Sequence, residues 1–226
     1  MRSKTSLFSS LILTIILINS CAPAYVPNVL NAPLLTNKGE VQVALHAGAS
    51  GFDPQFSWAI TNHLGVMLNG SFMNSTSDST NNYHKHGFGE LGLGYYMPIG
   101  QRGKFEAFGG FGSGRIQALY ENSLWTSRSN VSITRYFVQP TIGITSKLID
   151  AGFSTRISIV NLHNYAASST GVFAEPAITA KLGWDYLKFV GQIGVSVPFD
   201  SENNVINYQP LLISLGIQGN FGKVFK

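Results

Sequence analysis

Val41-Gln42-Val43-Ala44-Leu45-His46-Ala47-Gly48 places apolar side chains at every second position, with polar or small ones between. A period of two is the signature of a strand with one apolar and one polar face. Similar segments follow at about Gln55–Thr61, His63–Met73, His86–Met97, Lys104–Tyr120, Ile133–Ser146, Asp150–Asn161, Val172–Gly183, Leu187–Val197 and Leu211–Phe221. The pattern predicts about ten strands, with eight as the lower count. Most have the 9–11 residues or more that a tilted membrane-crossing strand requires. Within Lys104–Tyr120 the apolar parity changes: Phe105, Ala107 and Phe111 share one face, and Ile116, Ala118 and Tyr120 the other. A bulge at Gly109-Gly110 is the expected cause.

The connections alternate in length. Those at Asn62, Pro98–Gly103, Lys147–Ile149 and Trp184–Tyr186 are short. Those at Asn74–Lys85, Glu121–Ser132, Leu162–Gly171 and Pro198–Pro210 are longer and rich in Asn, Ser, Thr and Asp. An even strand number with short turns on one side and longer loops on the other describes bacterial outer-membrane barrels, and the chain resembles a small Gram-negative member of that class. The expected fold is all-β, an antiparallel up-and-down transmembrane β-barrel over residues 39–226 with a polar interior. Both termini are then expected on the short-turn, periplasmic side.

Composition agrees. Only 12% of residues are charged, against roughly 25% in a soluble domain. With 44% hydrophobic and 12% aromatic residues, disorder is excluded. The one long apolar run lies at the N-terminus, so a helical membrane protein is excluded as well.

That run is flanked by Arg2 and Lys4 and continues from Leu7 to Ile18, the form of a secretory signal peptide over residues 1–20. Ile18, Asn19, Ser20 and Cys21 resemble the lipobox of bacterial lipoproteins. The resemblance implies a diacylglycerol and acyl chain, such as palmitate, on Cys21, the sole cysteine, and no other cofactor. Loss of Arg2 and Lys4 reduces Lys+Arg from 15 to 13 against 11 acids. No basic stripe or nucleic-acid motif is present, so no nucleic-acid partner is expected. Residues 21–38, with Pro23, Pro27 and Pro33, read as a lipidated extended tether. Tyr25-Val26-Pro27-Asn28, Asn31-Ala32-Pro33-Leu34 and Gly51-Phe52-Asp53-Pro54 resemble the start of a group of uncharacterised Bacteroidetes lipoproteins, a likeness that brings no known activity.

If the apolar parity faces outward, the lipid-facing wall includes Leu64, Val66, Leu68, Leu91, Leu93, Tyr136, Val138, Ile142, Ile144, Phe153, Ile157, Ile178, Leu182, Phe189, Ile193, Val195, Ile213, Leu215 and Ile217. Tyr95, Tyr96, Trp125, Trp184 and Tyr186 suit interfacial girdles. The chain does not end on an aromatic residue as such barrels usually do, Phe225 being penultimate. The opposite parity collects Glu90, Glu106, Arg115, Arg135, Arg156, Glu175, Lys181 and Lys188, with His46, Gln139, Gln192, Ser214, Gln218 and Asn220. Paired charges there are expected to form a salt-bridged plug, since an unpaired buried charge is costly. A narrow polar pore is the other reading of the same charges. A soluble lipocalin-like barrel that carries a small apolar ligand would place the apolar parity inside instead.

Gly109, Gly110, Gly112 and Gly114 lack the following helix of a phosphate loop and predict close packing. His84 and His86 share a face, but two histidines in a loop are ordinarily solvated, and no metal site is assigned. No nucleophile elbow, His-Glu-x-x-His or Cys-His pairing occurs. His163, Ser168 and Ser169 lie together near a rim, the one arrangement resembling a lipid-modifying enzyme, without a fixed geometry. The expectation is a monomeric, non-enzymatic, lipid-anchored outer-membrane protein with an envelope-structural role or a surface ligand at its polar loops.

Overall fold

The computed structural model of the chain describes residues 23–77, 81–121, 126–164, 168–199 and 206–223. The signal peptide, Cys21, Trp125 and Phe225 lie outside the described residues. All ten expected segments are strands: β1 (Val41–Gly48), β2 (Gly51–Ala59), β3 (Leu64–Thr76), β4 (Tyr83–Ile99), β5 (Gly103–Glu121), β6 (Thr126–Ile144), β7 (Ile149–His163), β8 (Ser168–Gly183), β9 (Leu187–Val195) and β11 (Leu211–Phe221). A two-residue β10, Val197–Pro198, pairs with β8 between β9 and β11. Sequential neighbours pair antiparallel from β1 to β9, β9 pairs with β11, and β11 pairs with β1, closing the barrel.

The hairpins on one side rise further than their sequence suggests. β4 to β8 are 15–19 residues long, whereas β1, β2, β9 and β11 have 8–11. Three of the expected long loops shrink to residues 77–82, 122–125 and 164–167, and only 196–210 stays long. These connections and the Ala49-Ser50 turn define one mouth, the loop mouth. The turns at 60–63, 100–102, 145–148 and 184–186 define the other, the turn mouth.

No bulge interrupts β5. Its pairing with β4 is continuous from Tyr83↔Leu119 to Ile99↔Gly103, and with β6 from Gly103↔Ile144 to Glu121↔Thr126. Parity is constant, with Glu106, Phe108, Ile116 and Ala118 inside and Phe111 and Arg115 outside. What inverts is chemistry. Toward the loop mouth the inner face becomes apolar, where Phe88, Ile116, Ile133, Val160, Leu162 and Phe173 pack around Tyr25, and the outer face becomes polar. The inward glycines make room for rings. A Cβ on Gly112 would stand 2.4 Å from Phe88 Cζ, and one on Gly94 would stand 2.4 Å from Phe108 Cδ1. The glycine run is therefore packing, as its lack of a following helix implied.

Residues 23–38 are extended but are not a free tether. They run through the lumen from one mouth to the other. Tyr25 pairs with Tyr208 at the loop mouth, where Ala24 N–H and Tyr25 N–H donate to Asn207 O. At the turn mouth Asn37 Nδ2 donates to Gly222 O. The sequence leads one to expect both ends on the short-turn side; among the described residues Pro23 lies at the loop mouth and Lys223 at the turn mouth. Alternation of strand residues carries no information about which side of the sheet a preceding segment takes, so this could not be read from periodicity.

Candidate functional site

The site is the filled lumen, and it is built by wall side chains that grip the main chain of residues 25–37. The inward parity of each strand supplies them, and the segment has no strand neighbour to satisfy its backbone. Beginning at the loop mouth, Tyr25 OH donates to Glu175 Oε1 at 2.5 Å and accepts from Arg135 Nη1 at 2.9 Å. Its ring lies 4.9 Å from that of Phe173. Asn28 is the hub. Its Oδ1 accepts from Arg135 Nη2 at 2.5 Å and Arg156 Nη1 at 3.0 Å, its carbonyl accepts from Arg156 Nη2 at 3.0 Å, and its amide donates to Glu90. Glu90 pairs with Arg135, whose guanidinium also stacks over Phe88 at 4.6 Å, and Glu175 pairs with Arg156 at 2.5 Å.

Deeper in, Val29 N–H donates to Asp53 Oδ2 at 3.0 Å while its carbonyl accepts from Gln55. The Gln192 amide answers both polar groups of Leu30, accepting from its N–H at 2.8 Å and donating to its carbonyl at 2.9 Å. Asn31 bonds Ser57 and Asn69, and its carbonyl accepts from Gln139. Lys181 Nζ donates to Ala32 O at 2.7 Å. Leu34 has φ +54°, a left-handed conformation that costs an ordinary residue about 1–3 kcal/mol. That turn aims two successive amides at one carboxylate, with Leu34 N–H on Glu106 Oε2 at 3.0 Å and Leu35 N–H on Oε1 at 2.6 Å, an anion-binding nest. The prolines at 27 and 33 have no N–H that would need an acceptor in this channel.

A second ionic cluster closes the turn mouth. Lys188 pairs with Asp150 at 2.8 Å, and Lys223 lies 3.6 Å from Asp150 and 3.7 Å from Glu40. Glu40 in turn accepts from Thr36 N–H at 2.7 Å. Across the described residues six buried acids (Glu40, Asp53, Glu90, Glu106, Asp150, Glu175) balance six buried cations (Lys104, Arg135, Arg156, Lys181, Lys188, Lys223). A small space of about 10 Å³ lies beside Tyr25, His86 and Arg135, room for at most a single water.

Seven of the eight charges assigned to the interior are there. Arg115 is not; it points outward from the upper part of β5. Tyr96 is likewise removed from the expected girdle, being buried inside with its hydroxyl on Thr61 O, whereas Tyr95, Trp184 and Tyr186 are exposed. His46, Gln139, Gln192, Ser214, Gln218 and Asn220 are all buried. Missed from sequence were Tyr25, Asn28 and Asn31, and the buried acids Glu40, Asp53 and Asp150. The signal was a surplus of cations over acids on the inward parity, with three acids against five bases. His84 and His86 do share a face, and their rings hydrogen-bond each other at 3.0 Å, with His86 continuing to Ser71. Both sit above the last large apolar side chain on the outer face of β4, Leu91, and burial lowers each to about 4. Among the described residues no cluster of three or more metal-binding side chains occurs. His163 is exposed on the outer face and Ser168 pairs opposite it.

The outer wall is the complement of the lumen. Leu91, Leu93, Tyr136, Val138, Ile142, Ile144, Phe153, Ile178, Phe189, Ile193 and Leu215 are exposed, Leu93 at 58% and Leu215 at 74%. From the turn mouth up to the row Leu91–Phe111–Tyr136–Ile159–Val172 no outward side chain is charged. Nine residues of a strand tilted by about 40° give this band a height of about 23 Å. No protein-family model matches the chain, and no curated protein matches it.

Proposed function

We propose that this chain is a non-catalytic outer-membrane β-barrel, closed by its own N-terminal segment, with an envelope-structural or surface-binding role. One observation carries the reading: an uncharged apolar outer band about 23 Å high surrounds a buried, charge-balanced interior, and outer-membrane barrels carry an apolar band about 25 Å tall. A soluble lipocalin-like carrier would need the opposite arrangement, with an apolar cavity inside and polar groups outside. The filled lumen favours the plug over the narrow pore. Its bonds run from wall to segment and back to wall, so it opens only if the segment leaves.

Lipidation of Cys21 is part of the proposal, and the path of residues 23–38 changes its consequence. Pro23 stands at the loop mouth, so a lipid on Cys21 is tethered beside the loops and not beside the periplasmic turns. With the loops outside, the anchor belongs in the outer leaflet. The test is a short epitope inserted after Ala22, probed by antibody on intact cells, with alkaline washing of membranes isolated from the same culture. Antibody binding without permeabilisation, on protein that stays in the membrane pellet, is expected. Protein released by the wash would overturn the membrane reading, and an epitope reached only after permeabilisation would overturn the lumen-threaded orientation.

A further inference from the structure

Above the apolar band the outer wall of β4–β7 changes character within one row of side chains. Phe111, Tyr136 and Ile159 stand side by side across β5, β6 and β7. The next outward row is Ser113, Thr134 and Asn161, and the row after that is Arg115, Ser132 and His163. Arg115 and His163, with Asn130, Ser132 and Asn164, line a polar recess of about 300 Å³. Gly87 is opposite Arg115 on β4 and puts no side chain of its own beside it, the Phe72 ring lying 3.8 Å from where a Cβ would stand. Lys85 lies one row higher, opposite Gln117, and Arg128 one row higher again, opposite Leu119. Glu121, opposite Thr126, is the one acid on this face of β4–β7 among the described residues, and it lies at the rim beyond Arg128. Among the described residues Arg115 is in no ion pair.

An outward arginine two rows above an apolar band is out of place on a wall meant only for hydrocarbon and in place at the level of lipid headgroups. Two rows along a tilted strand are about 10 Å of height, and a long arginine side chain can bend back several ångströms toward the interface. Three cations and the imidazole and amide donors of His163 and Asn130 offer positive charge and hydrogen bonds without a competing carboxylate at the recess. That is the complement of a phosphate group.

We propose that this recess holds the phosphate of an anionic membrane lipid, its acyl chains lying down the band below Phe111 and Tyr136. Arg115 makes the central contact, and Lys85 and Arg128 supply charge from the rows above. The inference rests on the membrane reading. Its test is lipid retention by native mass spectrometry, on detergent-solubilised folded protein offered equal phosphatidic acid and phosphatidylcholine. Each cation near a charged lipid surface contributes about a fivefold preference. Wild type is expected to retain phosphatidic acid over phosphatidylcholine by at least that factor. Arg115→Gln is expected to lose about fivefold of the preference, with heat-modifiable gel mobility unchanged, while Arg102→Gln at the turn mouth keeps it. Equal retention of the two lipids by wild type, or an unaltered preference in Arg115→Gln, would overturn the site. Retention of inorganic phosphate with the same dependence on Arg115 would also overturn it, as a free-anion site. Failure of the membrane reading is separate and visible beforehand, as a protein that stays monomeric in buffer without detergent.

Discussion

Asn28 shows how one neutral residue holds three charged side chains. Its carboxamide and carbonyl take three guanidinium N–H bonds and its amide gives one to Glu90. Asn28→Ala leaves buried guanidinium donors without acceptors, at a cost of about 1–3 kcal/mol. We expect a lower midpoint of urea unfolding followed by heat-modifiable mobility, with the barrel still folded. Arg135→Ala takes from Glu90 its nearest cation and leaves it only Arg156 at 3.6 Å, and breaking a buried pair costs about 3–5 kcal/mol. Leu91→Ala removes a side chain from the outer wall and opens no internal void, so its midpoint should stay close to wild type. Equal loss in Arg135→Ala and Leu91→Ala would contradict the assigned faces. Leu34 sets two effects against each other. Leu34→Gly relieves about 1–3 kcal/mol of left-handed strain but empties a fully buried site, a loss of about 2–5 kcal/mol for comparable truncations to Ala. Packing should win, and the variant should be less stable; a rise in its unfolding midpoint would contradict this balance.

At the level of elements, the strands were legible and the segment was not. Val41–Gly48 and its nine counterparts announce themselves because each has one apolar and one polar face. Gly109-Gly110 misled for a physical reason. Apolar Ile116 and Ala118 face inward above the band while apolar Phe105 and Phe111 face outward within it, so a reversal of environment imitates a reversal of parity. Arg115 was placed inside by the same imitation. Residues 23–38 contain prolines and asparagines suited equally to an exposed linker and to a channel lined with polar side chains, and only the wall, spread over the whole chain, distinguishes them. Buried Asp53 and Asp150 were hidden likewise, because each lies close to a turn, and beside its local partner, Ser50 or Ser146, the groups that hold it inside come from far off in sequence, Val29 for Asp53 and Lys188 and Lys223 for Asp150. The segment's role yields its own prediction. A chain in which Pro23–Lys38 is deleted should, when refolded into planar bilayers, conduct ions through a lumen lined by Glu90, Arg135, Arg156 and Glu175, whereas the full chain stays closed. Equal conductance of the two would mean that the segment is not the plug.

For the whole molecule, the scarcity of charge and the placement of charge are one fact. Of the ionised groups on the described strands, five acids and five cations face the interior, Lys85, Arg115, Glu121 and Arg128 stand on the outer face above the band, and the band itself has none. An Arg or Lys facing hydrocarbon at mid-depth would cost about 2–4 kcal/mol, so the wall is uncharged where the cost is greatest and becomes polar at the row where it vanishes. The most direct test of this inside-out arrangement is a nitroxide spin label at Leu93→Cys, one outward row below the top of the apolar band on β4, in a chain whose Cys21 is replaced and which is reconstituted in phospholipid vesicles. The account predicts that its relaxation responds to dissolved oxygen and not to a water-soluble nickel chelate. A label relaxed chiefly by the chelate would place Leu93 in water and contradict a lipid-facing wall.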